Sequence, residues 1–366
     1  MNIAVAATRT PVASRPAPAR IALLGTGTVG SAVLARLAAW QGTALGERLS
    51  LRYAANSRFA FQPASFADAV ERVAHRDPAR AEAAPLPGAA ALALGGHGAR
   101  IVIDATASEA VAERHAQWLT QGIHVVTACK LGQGSSLARW RAIREAQRSG
   151  SSRYGDSATV GAGLPLLKSI RALQAGGDRI HAVAGVLSGS LAWLFNHYDG
   201  LRPFSGFVRQ ARDAGYTEPD PRDDLSGEDV RRKILILARA AGVALESDAV
   251  DVASLVPLEI AALAAADVDA ALPELDAAMR ERYAEAYKRG EKLRFIARLE
   301  DGKARVGLES LPADHPLAGG AGTDNRVAIW SDRYCNQPLV IQGPGAGAEV
   351  TAAGLLDDAL EIAAIR

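Results

Sequence analysis

Cysteine is nearly absent: Cys129 and Cys335 are the only two among 366 residues. Neither a disulfide scaffold nor a Cys-rich metal centre can be built from that pair. No uninterrupted apolar run reaches membrane-spanning length, and the alanine-rich stretch 249–272 is broken by Asp251, Glu259, Asp267 and Asp269. Charge of one sign is also missing. With 41 basic and 40 acidic side chains the net charge is +1, which gives no case for nucleic acid or an anionic membrane surface. The seven histidines include no pair at metal-ligand spacing. His124 and His181 lie at the starts of apolar strands and read as satisfied polar residues. Lysine is scarce, with six in the chain, so a lysine inside a motif stands out. What is present is ordinary: 49% hydrophobic and 22% charged residues, over a length that supports two domains with substantial cores. These features together fit a cytoplasmic enzyme.

Residues 1–19 carry three prolines and no acid, and are expected to form a disordered tail; a transit-like leader is the alternative. From Arg20 a dinucleotide-binding pattern begins. Ile21-Ala22-Leu23-Leu24 is a short buried-type strand. It runs into Gly25-Thr26-Gly27-Thr28-Val29-Gly30 and then a helix carrying Val33, Leu34, Leu37 and Ala38. Gly25 suits the tight turn, Gly27 the close approach of a pyrophosphate, and Gly30 the packing of helix on strand. Backbone N–H groups at the helix start would hold the phosphates.

A second strand, Leu51 to Ala55, ends at Asn56-Ser57-Arg58. An NAD-selective site commonly has Asp or Glu here, accepting from the ribose 2′-OH. With Asn56 the acid is gone, and Arg58 could pair with a 2′-phosphate. NADP(H) is therefore the preferred cofactor and NAD(H) a weaker substitute; a solvated surface Arg58 is the competing account. A third strand, Arg100 to Asp104, leads into Thr106 on the cofactor side, and a fourth, Ile123 to Thr127, ends at Ala128-Cys129-Lys130. Carboxyl ends of parallel strands face the ligand crevice, so Lys130 should point at cofactor and substrate.

The segment from Gly215 to Lys233 is richest in chemistry. Carboxylates crowd a loop punctuated by Pro219, Pro221 and Gly227, and the run closes on Asp229 and Lys233, four apart. Val230, Ile234, Leu237 and Ala238 recur at helical spacing, so Asp229 and Lys233 should share one helix face. From spacing alone an exposed i,i+4 ion pair is the commoner explanation. An acid and an amine held beside an acidic loop could also bind a zwitterion and move a proton.

Ala211, Gly215-Tyr216-Thr217, Asp220-Pro221, Asp224-Leu225, Gly227, Asp229 and Lys233 resemble the signature of homoserine dehydrogenases. They are most like the dehydrogenase half of bifunctional aspartokinase–homoserine dehydrogenases. Gly185-Val186-Leu187-Ser188-Gly189-Ser190-Leu191 fits the same family. The resemblance runs from Arg20 to the end. It implies an α/β protein with a Rossmann-type NAD(P)-binding domain over 20–153 and an α+β catalytic and dimerisation domain over 154–334. The chain would then return to the nucleotide-binding domain over 335–366, where Gly347 approaches the dinucleotide. Lys130 matches a lysine that contacts cofactor and substrate, although Cys129 stands where Asn is usual and Ala107 where a small hydroxyl residue is common. Backbone carbonyls of Val160, Ala162 and Leu164 match a monovalent-cation site (Na+ or K+), whose carboxylate position is Ser157; Asp156 is displaced from it by one.

By the same resemblance, the reaction is reversible NAD(P)H-dependent reduction of L-aspartate 4-semialdehyde to L-homoserine, in threonine, methionine and isoleucine biosynthesis. Lys233 is the expected general acid, with Asp229 and Lys130 beside it. Glu218 would bind the substrate α-ammonium, with Asp224 supporting it. A homodimer is expected. No kinase or regulatory domain accompanies these motifs, so the enzyme is expected to be monofunctional and weakly sensitive or insensitive to threonine. Two rivals remain: another NADP reductase of amino-acid metabolism using Cys129 as an acyl-enzyme thiol, and a catalytically impaired NADP-binding regulatory protein on the same fold.

Overall fold

Every residue of β1 (Ala19–Leu24) is buried, as a near-continuous apolar strand covered on both faces must be. The structure is a computed structural model that describes residues 17–75, 90–91 and 93–365. Residues 1–16 of the expected tail lie outside the described residues, and β1 already begins at Ala19. β1 pairs in parallel with β2 (Leu49–Ala55) and β4 (Arg100–Asp104). β5 (His124–Thr127) and β6 (Tyr154–Gly155) extend the sheet in parallel, and the short β3 (Ala60–Phe61) closes its other edge antiparallel to β2. The order is β3-β2-β1-β4-β5-β6.

Alternate side chains of these strands feed two layers. Ile21, Leu23, Ile101 and Ile103 pack with Val33, Leu34 and Leu37 of the helix Thr28–Ala39 and with Leu355, Leu356 and Ala359 of the last helix, Ala348–Ala363. On the opposite face Ala22, Leu24 and Val102 meet Trp118, Leu119 and Ile143. The expected Rossmann-type unit is therefore present, with the chain's last helix laid across it. Val111, His115 and Trp118 lie on two short helical pieces, Glu109–Ala112 and His115–Thr120.

A second six-stranded sheet has the order β12-β11-β7-β9-β10-β8. Its strands are β7 (Ile180–Val186), β8 (Val250–Val252), β9 (Lys292–Glu300), β10 (Lys303–Leu311), β11 (Asp324–Ser331) and β12 (Leu339–Pro344). All neighbours are antiparallel except β8, which runs parallel to β10. The turn Asp301–Gly302 joins β9 to β10 with positive φ at both residues (49° and 73°), the twist that suits a tight hairpin. The alanine-rich stretch 243–290 is mixed. It holds the strand β8, several short turns after Pro257 and around Pro273, and one full helix, Asp276–Lys288. Proline at two points and pairing of β8 on the sheet edge override alanine's helix preference. Tyr283 and Tyr287 stack at 6.2 Å on that helix, as packing residues.

The helix Glu228–Ala240 backs the second sheet. Val230, Ile234, Leu235, Ile236, Leu237 and Ala238 are all buried, each large aliphatic side chain contributing roughly 2–3 kcal/mol. Gly227 starts it at φ 78°, and a Cβ there would lie 2.9 Å from the Phe295 ring, so both backbone and space require glycine. Among the described residues no helix is long and apolar enough to cross a membrane.

Candidate active site

β7 ends at Val186, and the next residue, Leu187, turns its carbonyl toward the helix Glu228–Ala240. Lys233 Nζ donates to that carbonyl at 2.7 Å and lies 2.8 Å from Asp229 Oδ2. The other carboxylate oxygen of Asp229 is 3.3 Å from Nζ of Lys130, which arrives from the carboxyl end of β5 in the first sheet. One carboxylate thus bridges two lysines, one on the loop after β5 and the other on the helix behind the second sheet. Lys233 is buried, and Lys130 and Asp229 are partly open. Burial drives the Lys233 ammonium below its ordinary range; Asp229 opposes that and Lys130 adds to it. Burial alone would raise the Asp229 carboxyl, but the two ammonium groups outweigh it and hold it well below the usual range.

Asp224 lies on the short helical turn Arg222–Leu225 before Gly227. One oxygen accepts from Ser190 Oγ at 2.6 Å, and the other accepts from the backbone N–H of Glu218 at 2.8 Å. Burial raises its pKa, against the pull of those two bonds. Ser190 Oγ also sits 2.8 Å from Ser188 Oγ, and Ser188 caps the helix Gly189–His197. The Glu218 side chain is exposed on the loop above. Thr217 Oγ1, beside Glu218, and Asn325 Oδ1, whose amide nitrogen lies 3.4 Å from the same Leu187 carbonyl, are buried oxygens with no partner among the described residues. Sequence reasoning placed Leu187 and Ser190 in a family motif without giving either a role, and did not name Asn325. The Ser188-Gly189-Ser190 run was the only signal for the first two, and nothing marked the third.

At the carboxyl edge of the first sheet, Gly25 has φ 94° and a Cβ on it would strike the Ala105 carbonyl at 2.6 Å. A Cβ on Gly30 would overlap the Gly25 carbonyl, whereas one on Gly27 would meet nothing within 4 Å. Gly27 thus faces open space at the start of the helix Thr28–Ala39, where the first-turn N–H groups of Thr28, Val29 and Gly30 are free of intrahelical bonds and no acid is present. That cradle fits a dinucleotide pyrophosphate. Asn56 ties itself to this loop, donating to Thr26 Oγ1 at 2.7 Å and accepting from the backbone N–H of Arg58 and Phe59. The Arg58 guanidinium is exposed beside it. Thr106 lies beside the glycine loop, its Cγ2 3.1 Å from where a Cβ on Gly25 would sit, and Gly347 begins the last helix at φ 126°. The structure therefore brings Lys130, Asp229, Lys233, Asp224 and the Glu218 loop together, with the glycine loop, Asn56, Arg58 and Thr106 along one sheet edge.

The residues expected to hold a cation lie near two ion pairs in the chain. Val160 and Ala162 are buried, Ala162 at φ 52°, and the Leu164 carbonyl accepts from the Leu166 N–H at 2.8 Å. Ser157 donates its N–H and hydroxyl to Asp358 at 2.9 and 2.8 Å. Asp358 in turn lies 3.2 Å from Lys168 Nζ, and Asp156 is paired with Arg171 at 2.6 Å. Asp358, which holds Ser157, and Asp156, next to that serine in sequence, thus each have a protein cation already.

Cys129, the candidate thiol of the acyl-enzyme rival, is buried, and burial beside Asp104 pushes its pKa up to about 12. It is a poor nucleophile.

Comparison with known proteins agrees with this layout. Residues 25–154 match the family model described as homoserine dehydrogenase, NAD binding domain, and residues 165–360 match the homoserine dehydrogenase model. A bifunctional aspartokinase/homoserine dehydrogenase 2 of Zea mays is 43% identical over 72% of this chain, which spans 29% of that protein's length. A homoserine dehydrogenase of Emericella nidulans is 39% identical over 72% of this chain and 76% of its own. A Candida auris crystal structure of unknown function superposes with a TM-score of 0.85 at 35% identity, covering 94% of this chain and 98% of that one. With both halves matched in order and a full-length relative well above chance identity, the chain belongs to the homoserine dehydrogenase family.

Proposed function

We propose that this protein interconverts L-aspartate 4-semialdehyde and L-homoserine with NADP(H), and that Lys233 moves the proton. The observation that carries the reading is the Lys130–Asp229–Lys233–Leu187 cluster at the meeting of the two sheets. The bound nicotinamide supplies or accepts the hydride. Gly25 to Gly30 hold its pyrophosphate, Asn56 and Arg58 take the adenosine end, and Thr106 and Gly347 line its path. Arg58 favours a 2′-phosphate, so NADP(H) is preferred over NAD(H).

An ammonium has three N–H donors, and two of those on Lys233 are engaged by Leu187 and Asp229. The third is free to donate to the aldehyde oxygen of the substrate, which must gain a proton as it is reduced. Burial makes that proton easier to release than from a solvated lysine, and Asp229 holds the amine in place for its return. Lys130 steadies the Asp229 carboxylate and the polar groups of substrate and cofactor. Glu218 binds the substrate α-ammonium, its loop anchored through the Asp224 carboxylate. The intact cluster argues against a catalytically impaired regulatory protein.

With Ser157 in place of a carboxylate and Asp358 paired with Lys168, the reaction proceeds without a specific monovalent cation. Trp330 and Val340, partly open beside the apolar cluster of Ala184, Ile296 and Ala328 on the second sheet, mark the face for a homodimer. Two free thiols suit a cytoplasmic setting.

The test follows NADPH absorbance with L-aspartate 4-semialdehyde for wild type and Lys233→Ala, alongside NADPH affinity. Turnover by wild type, with a loss of roughly a hundredfold or more in the variant at unchanged affinity, supports the reading. Binding of NADPH without turnover of the semialdehyde by wild type would reject it.

A further inference from the structure

Beneath the cofactor crevice lies a buried polar network that the proton chemistry does not use. Asp104, the last residue of β4, has no exposed surface. Its Oδ1 accepts from the Thr106 backbone N–H at 2.9 Å and from Thr106 Oγ1 at 2.6 Å. Its Oδ2 lies 3.2 Å from Thr127 Oγ1 and 3.0 Å from His115 Nε2. His115 Nδ1 is 2.9 Å from Tyr154 Oη.

The proton directions follow from the partners. Thr106 Oγ1 accepts from the Ser108 N–H at 3.1 Å and gives its own proton to Asp104. Thr127 Oγ1 accepts from the Cys129 N–H at 2.9 Å and does the same. A carboxylate that accepts from all its partners then requires an N–H on His115 Nε2, and the other ring nitrogen, Nδ1, faces the Tyr154 hydroxyl. Burial keeps that phenol protonated, far above its ordinary range. The two loops leaving β4 and β5 are therefore built alike: a backbone N–H two residues on rests on a threonine hydroxyl, and both hydroxyls rest on one carboxylate. The first loop carries Thr106 at the cofactor, and the second carries Lys130. The second also has no slack, since a Cβ on Gly132 would lie 2.3 Å from Tyr154 Oη and 3.0 Å from His115 Nδ1.

We propose that Asp104 is a positioning residue that sets the cofactor loop and the Lys130 loop against each other, with His115 and Tyr154 fixing its carboxylate. The inference rests on the cofactor and Lys130 roles given above. Its consequence is coupling: a change at Asp104 reaches cofactor and substrate together, although Asp104 touches neither.

The experiment compares wild type, Asp104→Asn, Lys130→Ala and the double variant. It reads NADPH Kd by fluorescence, semialdehyde KM, and the rate at which acetic anhydride acetylates Lys130, by mass spectrometry. An amide presents N–H donors on one edge, so one of the two loops loses its acceptor. Asp104→Asn should raise NADPH Kd and semialdehyde KM each by about fivefold or more and speed Lys130 acetylation severalfold. In the Lys130→Ala background it should still raise Kd but leave KM no further changed. Ile143→Ala, a buried substitution in the same layer, should lower Tm without moving Kd. A folded Asp104→Asn with wild-type Kd and acetylation rate overturns the proposal, as does full additivity with Lys130→Ala in KM. If Asp104→Asn does not fold, Thr127→Val, which removes one hydroxyl, must speed Lys130 acetylation; an unchanged rate overturns the proposal equally. Failure of wild type to turn over the semialdehyde would sink the substrate assignment, while Kd and acetylation would still test Asp104.

Discussion

Lys233 and Leu187 lie 46 residues apart in the chain, yet the lysine ammonium donates to the leucine carbonyl at 2.7 Å. That bond joins the helix behind the second sheet to the end of β7. It draws the amine out of water, where Asp229 alone would have left an ordinary surface pair. The carbonyl fixes the direction of the amine, while burial, with Lys130 beside it, lowers its basicity.

Homoserine oxidation should rise with pH. Lys233 is protonated below its folded-state pKa and acts as a base only above it. Burial lowers that pKa from the ordinary lysine value of 10.5, so the midpoint of the kcat/KM profile should fall below 10.5. Lys233→Arg, which cannot deprotonate in this range, should abolish the rise at every pH tested. A profile still climbing with a midpoint at or above 10.5 would contradict this.

Asp229→Ala should lower kcat by about a hundredfold while leaving NADPH affinity within a few-fold. It frees Lys130 and leaves a buried ammonium paired only with a carbonyl, at a stability cost of roughly 1–3 kcal/mol, discounted because Asp229 is itself 45% open. Stopped-flow reduction and thermal unfolding separate the two effects.

Arg58→Ala should weaken NADPH binding about tenfold and NADH binding hardly at all, since a charge-assisted bond to the 2′-phosphate is worth roughly 1.5–3 kcal/mol. Equal losses for both cofactors, measured by titration, would remove Arg58 from the selectivity.

Thiol chemistry should see one cysteine in the folded protein. Cys335 is exposed, whereas Cys129 is buried with its pKa pushed up to about 12. Titration with a disulfide reagent at pH 8 should give one equivalent in buffer and two in denaturant. Activity should survive modification of Cys335.

Turnover in sodium, potassium and choline chloride at equal ionic strength should agree within about twofold. A strong dependence on sodium or potassium would mean that the carbonyls of Val160, Ala162 and Leu164 bind a cation despite the pairing of Asp358 with Lys168.

Much of this could be read without coordinates. β1, the glycine loop and β4 were legible because a strand buried on both faces leaves an unbroken apolar run and its turn demands glycine. β11 was not. Asp324, Asn325 and Arg326 begin it after a glycine-rich stretch, and it becomes a strand by pairing between β12 and β7, the latter remote in sequence. β8 was hidden in alanine for the same reason: an edge pairing with β10 decided it.

The site divides along the same line. Four-residue spacing on an amphipathic helix is a local property, so the sequence by itself determined that Asp229 and Lys233 face one way. It also determined that Lys130 follows a strand at the crevice. Depth and meeting are not local. Only the tertiary approach of the loop after β5 and of the end of β7 to the helix Glu228–Ala240 brought Lys130 to Asp229, aimed the Leu187 carbonyl at Lys233 and buried that lysine, because a backbone carbonyl carries no sequence signal and burial depends on what distant segments place overhead.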